Sequence, residues 1–294
     1  MTALLQHIVD ALSVGSTYAL LALGLTLVYS IMNLINFGYG ILLVWGAYGY
    51  LGLTEVGLPF APAVILSVVG VTLLTMAIGR IAFRPFIGAP PITLLITSFA
   101  VLLIVQYAAI VAWGEAPRII DYPGAFTEVI NIGALRIPLL EIITIGAAIG
   151  VVLVYFVILN RTPLGAQVRA AAEIPDMTRL VGIKPGAVQM TVFAISGAIA
   201  GVVGFLWFAK SGAITPRSDL DPTLKAFIAI VLGGLGNTRG ALLGGFALGA
   251  IEVLMSVVLP SNVLGYEPAI VFAIVIAILV LRPGGIAGAK VNPA

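Results

Sequence analysis

RTPLGAQVRAAAEIPDMTRLVGIKP, Arg161 to Pro185, is a polar segment caught between two apolar runs, 138 to 159 and 187 to 208. Each run is long enough to cross the roughly 30 Å hydrocarbon layer as a helix, which takes about 20 apolar residues. The segment holds Arg161, Arg169, Arg179 and Lys184, and basic residues collect on the cytoplasmic side of a membrane. It therefore reads as a cytoplasmic loop. Its middle, Ala170 to Ile183, sets small residues and one glutamate, Glu173, nine positions before Gly182, a layout suited to a short amphipathic helix ended by glycine. In a membrane chain with no energy-coupling chemistry of its own, such a loop is where an external motor would push.

Outward from this segment the chain stays apolar. Of its 294 residues 61% are hydrophobic and 9% charged, far below the roughly 25% charge of a soluble domain. The expected fold is all-α, a polytopic helical bundle in which close packing and interhelical hydrogen bonds replace a water-excluding core. Further runs lie at 8 to 31, 36 to 53, 59 to 79, 92 to 113, 240 to 259 and 268 to 282. A thirteen-residue run, LKAFIAIVLGGLG from 224 to 236, makes only about 20 Å of helix. It is a short span or a re-entrant half-helix, so eight or nine transmembrane segments are expected, at least one short or broken, in a single transmembrane domain over 1–294.

With nine crossings the C-terminus is cytoplasmic. Nine basic residues (Arg80, Arg84, Arg161, Arg169, Arg179, Lys184, Arg239, Arg282 and Lys290) then fall inside. Five (Arg118, Arg136, Lys210, Arg217 and Lys225) fall outside or at that interface, as positive-inside charge bias requires. The opening, MTALLQHIVD, lacks Lys and Arg and includes Asp10, so it reads as a membrane segment and not a cleavable leader. Two outer loops, Gly114 to Pro138 and Lys210 to Thr223, carry mixed charge with Pro and Gly and read either as a docking surface for an extracytoplasmic partner or as ordinary solvated loops.

Cysteine is absent and His7 is the only imidazole, which removes disulfides, thiolate nucleophiles and Cys-based metal sites. No cofactor or metal is expected. GxxxxGK[ST], GxSxG and HExxH are all missing, so nucleotide-cradling and hydrolase chemistry are not expected of this chain. Basic residues are spread among loops, which speaks against a nucleic-acid partner.

Glycines recur at helix-packing spacing in the pairs Gly146/Gly150, Gly197/Gly201, Gly240/Gly244 and Gly245/Gly249, where backbones can approach closely. Two stretches read as helix interruptions. LGLTLVYSIMNLINFGYG, Leu23 to Gly40, sets Asn33 and Asn36 between apolar runs, and LGGLGNTRGALLGG, Leu232 to Gly245, sets Asn237 to Arg239 among glycines. Irregular backbone at membrane depth persists only where it is buried in protein or faces water. Asn33, Asn36, Tyr39 and Asn237 are therefore candidates for a translocation pathway, alongside plain turns as the simpler reading. Glu252 lies near the middle of the 240 to 259 run, where an ionised carboxylate is expensive and should face the bundle interior and find a partner.

YALLALGLTLVYSIMNLINFGYG (Tyr18 to Gly40) followed by GAY (Gly46 to Tyr48) resembles the opening of bacterial branched-chain amino acid permeases of ATP-binding-cassette transporters, the LivH type. The resemblance continues through RTPLGAQVRAAAE, LVGIKPGAVQMTVFAISGAIAGVVGFLW and KAFIAIVLGGLGNTRGALLGG. It implies an inner-membrane importer subunit that pairs with a second permease, two ATPase subunits and a periplasmic binding protein. It also implies that Arg161 to Pro185 is the segment docking in the ATPase, with Glu173 and Gly182 as its acidic and turn positions, Ala171 and Ala172 as small contacts and Arg169 flanking them. The sequence departs from the family at Tyr39, where histidine is frequent. Members for urea and short amides exist, so branched-chain amino acids are the leading substrate and those the nearest variant. An ion-coupled secondary transporter is the competing class, with Glu252 in a midplane site; it has no need of the cytoplasmic segment. A channel would need a filter sequence that is not seen.

Overall fold

A computed structural model describes residues 2–86, 88–120, 122–132, 135–173, 182, 184–282 and 284–287. Seven helices in it are long and apolar enough to cross a membrane, so the chain is a multi-pass, all-α membrane protein with a few short strands. The helices are α1 (Thr2–Met32), α2 (Tyr39–Glu55), α3 (Phe60–Ile78), α4 (Pro91–Trp113), α5 (Leu139–Arg161), α6 (Pro163–Glu173), α7 (Pro185–Ser211), α8 (Leu220–Gly233), α9 (Thr238–Val258) and α10 (Glu267–Leu281). The seven exclude α2, with 17 residues, α6, and α8, with 14. Seven full-length spans are thus described where eight or nine segments were expected; α2 and α8, about 25 Å and 21 Å long, are shorter than the hydrocarbon thickness.

The chain divides into two compact units, Met1–Thr26 with Tyr122–Ile149 and Lys225–Ala294, and Leu27–Asp121 with Gly150–Leu224. In the second unit α2, α3 and α7 pack together. α2 is apolar and buried on every side between Tyr39 and Leu51, as a helix with no polar face must be. Small residues bring the backbones together: a Cβ on Gly204 would strike the Leu43 backbone, and one on Gly201 would lie 2.9 Å from Val68 Cα. Ser67 on α3 donates its hydroxyl to the Gly46 carbonyl at 2.5 Å.

α3 continues into a π-helical turn, Gly79–Phe83, and a 3₁₀ turn, Arg84–Phe86. The Gly79 carbonyl accepts the Arg84 N–H across the π turn, and buried Gln189 on α7 also donates to it at 3.3 Å.

In the first unit α9 carries the packing glycines. Gly245 and Gly249 abut the α1 backbone at Ala19 and Gly15, and Gly240 and Gly244 abut α8 at Gly233 and Ala229. Three of the four expected glycine pairs therefore mediate contact. Gly146 and Gly150 on α5 meet nothing within 4 Å among the described residues.

The two outer loops acquire structure. β1 (Arg118–Ile119) pairs antiparallel with β4 (Ala213–Ile214), joining one loop to the other. Arg118 bonds Glu55 at 3.1 Å and Arg217 bonds Glu115 at 2.5 Å beside this pair. In the first unit β2 (Val129–Ile132) and β3 (Leu135–Pro138) form a separate hairpin.

Candidate functional site

Both helix interruptions read from the sequence are present. α1 stops at Met32 and α2 begins at Tyr39, with Asn33 to Gly38 irregular. Asn33 takes φ 48°, the only described non-glycine residue with positive φ; asparagine tolerates this left-handed conformation better than most residues. Asn36 is 3% exposed. Its Oδ1 accepts the Gly38 N–H at 3.1 Å and its carbonyl accepts the Tyr39 N–H, so one buried asparagine starts the next helix. Phe37 stacks on Phe99 of α4, ring centroids 4.7 Å apart. Tyr39 is fully buried, and its hydroxyl has no hydrogen-bond partner among the described residues.

Residues from far along the chain meet this break. Gly40 lies against Thr223 and the Asp219 carbonyl, leaving no room for a Cβ. β4 and α8 are separated by residues 215–219, a turn closed by the Ser218 N–H on the Thr215 carbonyl. Asp219 is 4% exposed and accepts a hydrogen bond from Gln106 Nε2 of α4 at 2.8 Å. Thr223 closes the turn by donating its hydroxyl to the Asp219 carbonyl at 2.6 Å. Read from sequence, Asp219 belonged to a solvated loop; the structure buries it beside the broken helix. The available signal was the Asp-Pro turn at Asp221–Pro222 leading into an apolar run too short to cross.

In the first unit Glu252 has two partners. Lys225 Nζ donates to its Oε1 at 2.7 Å and the Tyr18 hydroxyl to its Oε2 at 2.7 Å. Lys225 also reaches the Tyr18 hydroxyl at 2.7 Å and lies 5.0 Å from the centre of the ring. The lysine and glutamate side chains are 18% and 25% exposed. A carboxylate and an ammonium that share a phenol satisfy one another where water is scarce. Sequence reasoning singled out Glu252 but placed Lys225 among the outer charges.

The second interruption is a capped turn. Gly234 and Gly236 have φ of 106° and 79°. Asn237 Oδ1 accepts the N–H groups of Arg239 and Gly240, and its Nδ2 donates to the Ala287 carbonyl at 3.1 Å. The N–H groups of Ile286 and Ala287 reach the Leu232 and Gly233 carbonyls, so the tail satisfies the last turn of α8.

In the Arg161 to Pro185 segment the described helix is α6, Pro163–Glu173. Pro163 opens it, as proline at a first helical turn does. Thr162 Oγ1 accepts the Gly165 N–H at 3.2 Å. α6 packs on α7 and buries Val168 and Ala171, while Arg169 and Ala172 stay exposed. Glu173 is its last residue. Gly182 is exposed at φ 79°; residues 174–181 and 183 of the expected helix lie outside the described residues.

The chain is 32% identical over 97% of its length, and 95% of the relative's, to the high-affinity branched-chain amino acid transport system permease protein BraD of Pseudomonas aeruginosa. It is 31% identical, with the same coverage, to the permease protein LivH of Salmonella typhimurium. A part match, 32% identical over 46% of this chain and 32% of the other, is to the permease protein LivM of Escherichia coli. No solved structure matches the chain. The family described as branched-chain amino acid transport system permease component matches residues 7–281, and with relatives similar from end to end, this chain belongs to that family.

Proposed function

We propose that this chain is the permease subunit of an ATP-binding-cassette importer for branched-chain amino acids, seated in the bacterial inner membrane with its C-terminus in the cytoplasm. The observation that carries this is the end-to-end similarity to BraD and LivH, whose names state that transport. The part match to LivM supports a second, related permease as its partner. Two ATPase subunits and a periplasmic binding protein complete the assembly on this reading, and the 294 residues act as one permease domain.

The broken helix at Asn33, Asn36 and Tyr39 lines the pathway. Its support is the buried, unpartnered Tyr39 hydroxyl beside a turn that carries a buried carboxylate, Asp219. α8 acts as a short span inside the bundle, the reading that keeps nine crossings and the cytoplasmic C-terminus. Asn237 serves as a cap and Glu252 as one half of an internal ion pair. That pairing occupies the carboxylate an ion-coupled carrier would need, which weighs against the secondary-transporter class. α6 with Arg169, Ala171, Ala172, Glu173 and Gly182 transmits the ATPase stroke.

The test is purification from native membranes with associated subunits, followed by uptake of radiolabelled leucine, isoleucine and valine into proteoliposomes. Uptake that requires ATP and binding protein is expected. Uptake by the purified chain alone, driven by an ion gradient, would overturn the reading; ATP-driven uptake of urea in preference to leucine would change the substrate.

A further inference from the structure

We propose that a basic pocket at the π-turn end of α3 holds the phosphate headgroup of an acidic phospholipid. The cavity, about 690 Å³, is lined by Arg80, Arg84, Gly182, Lys184 and Gly186 among others. All three cations are exposed, and none has an acidic partner among the described residues.

The arrangement is one that an anion completes. Lys184 is the N-cap of the 27-residue helix α7 and makes no capping bond with its side chain. Pro185 at the first turn has no N–H, which leaves the Gly186 N–H and the positive end of the helix dipole facing the cavity. The Arg84 guanidinium sits over this same end: a Cβ on Gly186 would lie 3.4 Å from Arg84 Nε and 3.8 Å from Cζ. A cation packed on a positive helix end, with two more cations on the rim, is repulsive until a negative group enters. The wider π turn places Arg80 and Arg84, four residues apart, on the same wall.

The surroundings select a lipid over a soluble anion or an acidic protein surface. Arg80 and Arg84 lie in the last turns of the span Phe60–Phe86, the level at which headgroups meet the hydrocarbon. Ile81 is 75% exposed and Phe86 39%, large apolar side chains beside the cations. A phosphate with acyl chains satisfies both kinds of group, whereas inorganic phosphate satisfies only the charges. Juxtamembrane cations acting on acidic lipid are each worth about fivefold in affinity.

The experiment uses the full chain in neutral detergent, with tryptophan fluorescence reading thermal unfolding after addition of phosphatidylglycerol, phosphatidylcholine or inorganic phosphate. Phosphatidylglycerol should raise the midpoint well above the other two. Arg80→Gln/Arg84→Gln/Lys184→Gln should remove that difference, while the outer-loop control Arg118→Gln/Arg217→Gln keeps it. Equal shifts from both lipids, an equal shift from inorganic phosphate, or a full phosphatidylglycerol shift in the triple variant would each overturn the assignment. Loss of copurifying subunits from the triple variant, its lipid preference unchanged, would give the pocket to an acidic protein surface instead. Should the triple variant not fold, native mass spectrometry of the single variants decides: each should retain phosphatidylglycerol about fivefold more weakly, and unchanged retention in all three would defeat the proposal.

Discussion

Lys225 and Glu252, 27 residues apart and on different helices, form a 2.7 Å ion pair with Tyr18 bridging both. α8 and α9 are thereby tied to α1 by charge as well as by glycine contacts. Removing one member strands the other in a poorly hydrated setting, at a cost of about 3 kcal/mol, the lower end for a buried pair. Glu252→Gln keeps the hydrogen-bonding groups but leaves the Lys225 charge unmatched, and should lower the thermal midpoint less than Glu252→Leu. Glu252→Leu should lower yield and thermal midpoint, and the double variant Lys225→Met/Glu252→Leu should recover much of that loss. A double variant as unstable as the two losses added together would show that the residues do not act as a pair.

Tyr39 carries a buried hydroxyl without a partner among the described residues, and such a group costs about 1–3 kcal/mol. Tyr39→Phe should therefore be neutral or stabilising in thermal unfolding. If the hydroxyl serves the pathway, the same variant lowers uptake while the protein becomes no less stable. Unchanged uptake together with unchanged stability would remove Tyr39 from the pathway.

Gln106 supplies the described side-chain donor to Asp219. Hydrogen bonds to charged groups contribute about 1.5–3 kcal/mol, so Gln106→Leu should destabilise by that order, whereas Asp219→Asn keeps an acceptor and should cost less. Chemical denaturation of both variants checks the order; equal loss from the two would mean that charge, not the hydrogen bond, holds the turn.

Glu173 ends α6, and Gly182 has no described residue within 4 Å of the place a side chain would take. Glu173→Ala and Gly182→Trp should leave membrane insertion intact and uncouple ATP hydrolysis from uptake. Normal substrate-stimulated uptake by both variants would show that this segment does not transmit the stroke.

Ala172 is exposed on α6, and the chain has no native cysteine. Ala172→Cys should resist an impermeant thiol reagent in intact spheroplasts and react after permeabilisation. Labelling without permeabilisation would invert the topology.

What the sequence by itself determined was which segments are apolar enough to cross a membrane and the places where helices stop. Apolar runs and the Asn and Gly interruptions sufficed, because hydrophobic length and backbone propensity are local properties. Asn36 and Asn237 were legible as helix breakers for that reason; Asn237 caps the helix that follows, and Asn36 holds the Gly38 N–H in the turn before α2. The glycine spacing predicted close contact but not where: the same motif packs at Gly245/Gly249 and stands open at Gly146/Gly150, since only the fold supplies a neighbouring backbone. Partners across the chain were beyond reach. Lys225 read as an outer charge because nothing local reveals a carboxylate 27 positions on, and Asp219 read as solvated because its burial depends on Gln106 and Gly40, more than a hundred residues earlier. Tertiary structure decided those pairings, because burying a charge is tolerable only where the fold delivers its counter-group to within hydrogen-bond distance.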